Sequence, residues 1–141
     1  MILRSIVASF ILLSMVTGVS ATGIKTAETV QLYACTDATS TDVTGVGVIV
    51  CTANPTPELE RRSQADNLQS REGALVVELD DAGVSARAGL QPGDVIYRVG
   101  GVDVSSAESA AAGLSQIGTR SDTIVNFLRG GRPYRVKIRR N

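Results

Sequence analysis

Three groups of side chains in this 141-residue chain have chemical capacity: the adjacent carboxylates Asp80 and Asp81, the cysteines Cys35 and Cys51, and the serines with Lys25 and Lys137. Paired carboxylates can share acid–base work, a cysteine can attack or be oxidised, and a lysine can activate a serine. None stands in a supporting pattern. Adjacent residues at a strand end point apart, and Leu79-Asp80-Asp81-Ala82-Gly83 reads as a solvated turn. Neither lysine shares a motif with a serine. The chain has no histidine, which excludes a Ser-His-Asp or Cys-His centre and leaves a metal site to carboxylates and two cysteines without ligand spacing. No catalytic residue, no metal ligand set and no cofactor is expected.

Backbone chemistry is the stronger candidate. Gly45-Val46-Gly47-Val48 opens the run TGVGVIVCT at 44–52, a glycine-punctuated loop leading into a β-branched strand. Consecutive N–H groups in such a turn can converge on an anion; the plainer reading is a loop before a strand. By alternation Val46, Val48 and Val50 share one face of that strand.

The elements that would position this loop follow from local signals. Asn54-Pro55-Thr56-Pro57 is expected to break the strand, with Pro57 at the first turn of a charged surface helix reaching about Leu68. Residues 73–79 read as a second strand, 84–88 as a helical turn closed by Gly89, and 94–99 as a third strand. Gly100-Gly101 supplies a tight turn into 102–104. Ser105 and Glu108 form a capping box, after which Ala107, Ala110, Ala111, Leu114 and Ile117 recur on one helical face. Residues 123–128 and 133–139 pair as a hairpin across Arg129-Gly130-Gly131-Arg132. The expected fold is α+β, a small and mostly antiparallel β-sheet or partial barrel capped by two helices.

Residues 1–21 carry Arg4, an apolar stretch from Ile6 to Val16, and Val19-Ser20-Ala21 before Thr22, the pattern of a cleavable signal peptide. An uncleaved anchor is the lesser reading, because the apolar run falls short of the roughly 20 residues a spanning helix needs. The organisation expected is a signal peptide at 1–21, an N-terminal arm at 22–42 with one strand-like run at 29–35, and one domain at 43–141. Export to a periplasmic or extracellular compartment would let Cys35 and Cys51 pair, closing a loop worth about 3 kcal/mol; the alternative is two thiols, one of them buried. The formal net charge is zero, which speaks against nucleic acid. Arg129, Arg132, Arg135, Lys137, Arg139 and Arg140 alternate with Tyr134, Val136 and Ile138, as on a solvated edge strand rather than an anion patch.

Four segments together carry a resemblance: Gly45-Val46-Gly47-Val48, Gly73-Ala74-Leu75-Val76-Val77, the run from Ala86 through Arg87-Ala88-Gly89-Leu90-Gln91-Pro92-Gly93-Asp94 to Ile96, and Phe127-Leu128-Arg129-Gly130-Gly131-Arg132. They resemble a PDZ domain of the bacterial HtrA-type proteases over residues 43–141, about seven tenths of the chain. The block at 82–104 is the specific part, the Gly-Val-Gly-Val loop alone a weak one. Two departures stand out: Gly100-Gly101 replaces the family's usual Asn-Gly turn, and the protease domain is missing.

The resemblance implies a role for the loop and its neighbours. In the family the loop matching Gly45, Val46, Gly47 and Val48 binds a terminal carboxylate. The strand after it, with Ile49 and Val50, pairs with the incoming chain as an added strand. The adjacent helix then makes Ala107, Ala110, Ala111 and Leu114 groove-lining candidates, although Ala111 and Ile117 read equally well as core. An apolar ligand end is expected. The function implied is a non-catalytic exported module that binds C-terminal or extended segments of other proteins, as adaptor or regulator. The rivals are a membrane-tethered structural component of an envelope or secretion assembly, held through residues 1–21, and an accessory domain to a separate protease.

Overall fold

The computed structural model describes residues 31–140. The expected signal peptide and the first part of the arm lie outside the described residues. Along the chain run β1 (Tyr33–Cys35), β2 (Thr41–Val43), β3 (Val48–Pro55), α1 (Pro57–Ala65), β4 (Ala74–Leu79), α2 (Val84–Ala88), β5 (Val95–Val99), β6 (Val102–Asp103), α3 (Ala107–Ser115), β7 (Thr123–Arg129) and β8 (Arg132–Ile138). The strands form an antiparallel sheet in the order β1-β3-β4-β5-β7-β8, with β2 also paired to β3 and β6 to β5.

Local chemistry accounts for most boundaries. Pro57 opens α1, where its missing N–H leaves no bond unmade, and Glu58 and Glu60 suit the positive end of the helix. Gly89 closes α2 at φ +108°, a conformation that disfavours any side chain with a Cβ. Gly100-Gly101 and Gly130-Gly131 take positive φ at both positions, the two-residue turn that matches strand twist between β5 and β6 and between β7 and β8.

Three local expectations shift. The strand does not stop at Asn54 but runs through Pro55, which sits opposite Tyr33 at the very end of β3, where a proline is tolerated. The cap of α3 falls one residue later than expected: the Ser109 N–H donates to Ser106 Oγ at 3.2 Å and the Ser106 N–H to Ser109 Oγ at 3.0 Å. Both serines can cap, and tertiary context selects the second. The charged helix α1 lies on the surface as expected but ends at Ala65 and sinks Leu59, which is 1% exposed.

Two apolar clusters result. The larger gathers Val46, Val48 and Val50 with Ala74, Val76, Ile96, Val125 and Phe127 of the sheet against Ala107, Ala110 and Leu114 of α3. The smaller joins Leu32 and Tyr33 to Leu59, Leu68, Val95 and Leu128, so the end of the arm is part of the packed structure. Cys35 and Cys51 are joined as a disulfide between the arm and β3. One charge pair is tied into the interior. Asp94, 1% exposed, takes Arg129 Nε and Nη2 at 2.9 and 2.8 Å, and Arg129 Nη2 also reaches the Gly89 carbonyl at 2.8 Å. The hydrogen bonds to Asp94 raise the Arg129 guanidinium above the ordinary arginine value. No helix among the described residues is long and apolar enough to cross a membrane.

Candidate functional site

The loop at 44–47 is a four-residue connection folding β2 back onto β3. Its donors point at one atom: the Val46 N–H and the Gly47 N–H reach the Val43 carbonyl oxygen at 3.1 and 3.0 Å. Gly47 has φ +69°, and a Cβ there would lie 3.2 Å from both Asp80 Cβ and Gly83 Cα, so conformation and space both require glycine. The loop is fastened from behind. Its carbonyls at Val46 and Gly47 accept the N–H groups of Ser85 and Asp80 at 3.2 and 2.9 Å.

This fastening explains Asp80 and Asp81. The Asp80 side chain accepts the Ala82 N–H at 3.0 Å, turning the chain, and both residues are exposed. Among the described residues no group of three or more His, Cys, Asp or Glu is placed to hold a metal ion.

Arg140, whose place in the cation run suits a solvated strand, stands instead beside the loop. β8 ends at Ile138, so Arg140 falls outside its alternation. The Arg140 N–H donates to the Gly118 carbonyl at 3.1 Å, and its side chain lies over Gly45, where an added Cβ would come within 3.1 Å of the guanidinium. Arg140 lines an open cleft of about 460 Å³ with Asp42, Val43, Gly45, Ala111 and Ser115. An anion entering there would meet the Arg140 guanidinium, while the Val46 and Gly47 N–H groups beside it are held by the Val43 carbonyl.

Of the expected groove residues, Val50, Ala107, Ala110 and Leu114 are buried in the core, with Val46 and Val48 of the expected carboxylate loop beside them and Ala111 packed against the rim. The Thr52 hydroxyl accepts the Ala107 N–H at 3.0 Å, tying β3 to the start of α3. Ile49 is half-buried and lies between Asp42 and Glu78 in the sheet. The space between β3 and α3, however, already holds a strand. β2 pairs with β3 through Thr41↔Val50, Asp42↔Ile49 and Val43↔Val48, and it touches α3 on its other side. This strand carries no local sequence signal, because ATSTDV at 38–43 shows no apolar alternation and only Val43 is buried.

A second, larger cleft of about 710 Å³ lies elsewhere, lined by Leu32, Leu75, Val77, Pro92 and Gly131 among others. Its carboxylate, Asp94, is already committed to Arg129.

No protein-family model matches the chain. The chain is similar to a probable periplasmic serine protease do/HhoA-like of Haemophilus influenzae, 29% identical over 77 residues. It is also similar to a probable periplasmic serine endoprotease DegP-like of Halomonas elongata, 32% identical over 79 residues. Each match covers 55% of this chain, but only 16% and 17% of the respective relative. A solved structure of the HtrA-type protease AlgW with decapeptide superposes at a TM-score of 0.51 and 26% identity, over 67% of this chain and 27% of that one. The fold is the PDZ-like α+β arrangement that the resemblance implied, similar to part of HtrA-type proteases.

Proposed function

We propose that this chain is a non-catalytic, exported PDZ module that holds C-terminal or extended segments of other proteins by strand addition along β3, as adaptor or regulator. The observation that carries the reading is the convergence of the Val46 and Gly47 N–H groups on one oxygen at the end of an extended segment antiparallel to β3. A terminal carboxylate of an incoming chain needs the same two donors, and Arg140 adds charge of the right sign. The similar protease AlgW has been seen with a decapeptide, which supports a peptide as the ligand. The similar relatives named as periplasmic support export; in this reading residues 1–21 are the leader, 22–42 an arm whose strands β1 and β2 pair with β3, and 43–141 the domain. In this reading Gly45, Val46, Gly47 and Val48 form the carboxylate loop. Ile49 and Val50 supply the pairing edge, and Ala107, Ala110, Ala111 and Leu114 the apolar wall.

The test compares two forms of one labelled decapeptide ending in valine, one with a free terminal carboxylate and one amidated, by fluorescence anisotropy. Loss of a charge-assisted hydrogen-bonded anion is expected to weaken binding about tenfold or more. Equal affinity for the two forms would remove the loop from the account.

A further inference from the structure

We propose that Thr41–Val43 is an internal ligand of this chain's own groove, and that the partner it stands in for is a chain terminus of the same chemistry, extended and ending in a small β-branched residue. The inference rests on the peptide-binding reading above and names what must leave before a partner can enter.

The placement of β2 carries the argument. It runs antiparallel to β3, with its last residue at the glycine loop, which is the direction an added C-terminal strand would take. Val43 ends the segment, 5% exposed, in one cluster with Val46, Val48, Ala107, Ala110 and Leu114. Its carbonyl takes both loop donors. A peptide ending in valine with a free carboxylate would reproduce the side chain and the oxygen together, and would add a negative charge next to Arg140.

The same segment is weakly held elsewhere. Only Val43 of β2 is buried, Asp42 is exposed, and residues 36–40 before it are exposed throughout. The Cys35–Cys51 bridge pins the chain upstream of β2, and the loop pins it downstream. An incoming strand can therefore displace Thr41–Val43 as a bulge while β1 stays paired. Occupancy by the arm lowers the apparent affinity for any partner by the fraction of molecules with the slot open. Because the arm is tethered, its effective concentration is high, and this fraction is small.

Thr41→Pro in the full chain is the discriminating variant. Thr41 lies opposite Val50, whose backbone faces the arm by the same two-residue alternation as Thr52, the acceptor of the Thr36 N–H at 2.9 Å. A proline there has no N–H for the ladder and leaves the core side chains in place. The probe is the synthetic peptide TDATSTDV, residues 36–43 of the chain, with a free terminal carboxylate and a fluorescent label at its other end. Binding is read by anisotropy, and amide hydrogen exchange of the arm is read with and without saturating probe.

Thr41→Pro is expected to bind at least about tenfold more tightly than the unaltered chain, and probe binding to the unaltered chain is expected to speed exchange at residues 41–43. If Thr41→Pro fails to fold by circular dichroism, Thr41→Gly keeps the N–H, weakens the strand, and is expected to shift affinity in the same direction. Equal affinities with the arm still protected at saturation overturn the internal-ligand proposal and leave peptide binding standing. If neither protein binds the probe, the peptide-binding reading falls, and this proposal with it.

Discussion

Arg129→Ala is expected to lower the unfolding free energy by about 3 kcal/mol, because it leaves the Asp94 carboxylate in the interior with its cation removed. Asp94 is 1% exposed, and the substitution leaves its carboxylate the Gln91 N–H, at 2.8 Å, in place of the two-pronged guanidinium. The damage is not local. Arg129 joins β7 to the turn before β5 and, through the Gly89 carbonyl, to the end of α2, whose first turn braces the glycine loop through the Ser85 N–H. The guanidinium also lies 5.1 Å from the centre of the Phe127 ring. Arg129→Lys keeps the charge but not the two-pronged fork, so it is expected to recover only part of the loss. Urea unfolding of the three proteins measures this. A loss under about 1 kcal/mol for Arg129→Ala, the size of an exposed pair, would show that the pair does not hold these elements together.

The second large effect is expected at Gly73, and here the reason is space. Gly73 has no left-handed φ, yet a Cβ there would lie 2.3 Å from the Ile96 carbonyl oxygen and 3.0 Å from its carbon. No side-chain rotation relieves a collision with backbone, so β4 and β5 must separate where Ala74 faces Ile96. Gly73→Ala is expected to destabilise by about 3 kcal/mol, at the upper end of the usual range for overpacking. Gly118 is the internal control. Nothing lies within 4 Å of an added Cβ there and its φ is ordinary, so Gly118→Ala is expected to be neutral or slightly stabilising. Similar thermal midpoints for the two variants would contradict the close-approach account.

These two positions also mark what the sequence made legible. Gly73, Gly89, Asp94 and Arg129 sit in the segments that carried the PDZ resemblance, and their structural reasons are local turns, a close approach and one buried pair. Elements specified by short-range signals could be read directly: the Gly100-Gly101 turn, the Pro57 helix start and the hairpin across Gly130-Gly131. The arm could not. β2 is a strand because Thr41, Asp42 and Val43 meet Val50, Ile49 and Val48, a pairing created by the loop between them and not by any periodicity of ATSTDV. Pro55 belongs to β3 for a related reason, since its place there depends on Tyr33, 22 positions earlier. The glycine loop was legible as a candidate site, but its occupant and its cation were not. Val43 sat at the expected domain boundary, and Arg140 was hidden in a run of cations whose alternation suits an edge strand.

The central claim is that a peptide terminus binds between β3 and α3 with its carboxylate in the glycine loop. Amide chemical-shift mapping of the isotope-labelled full chain, titrated with a free-carboxylate peptide ending in valine, addresses it most directly. The account expects the largest shifts at Val46, Gly47, Val48 and Val50, with further shifts at Thr41–Val43 and along the Ala107–Ala111 face of α3. Shifts confined to the larger cleft around Leu75, Pro92 and Gly131, with the glycine loop unmoved, would contradict it.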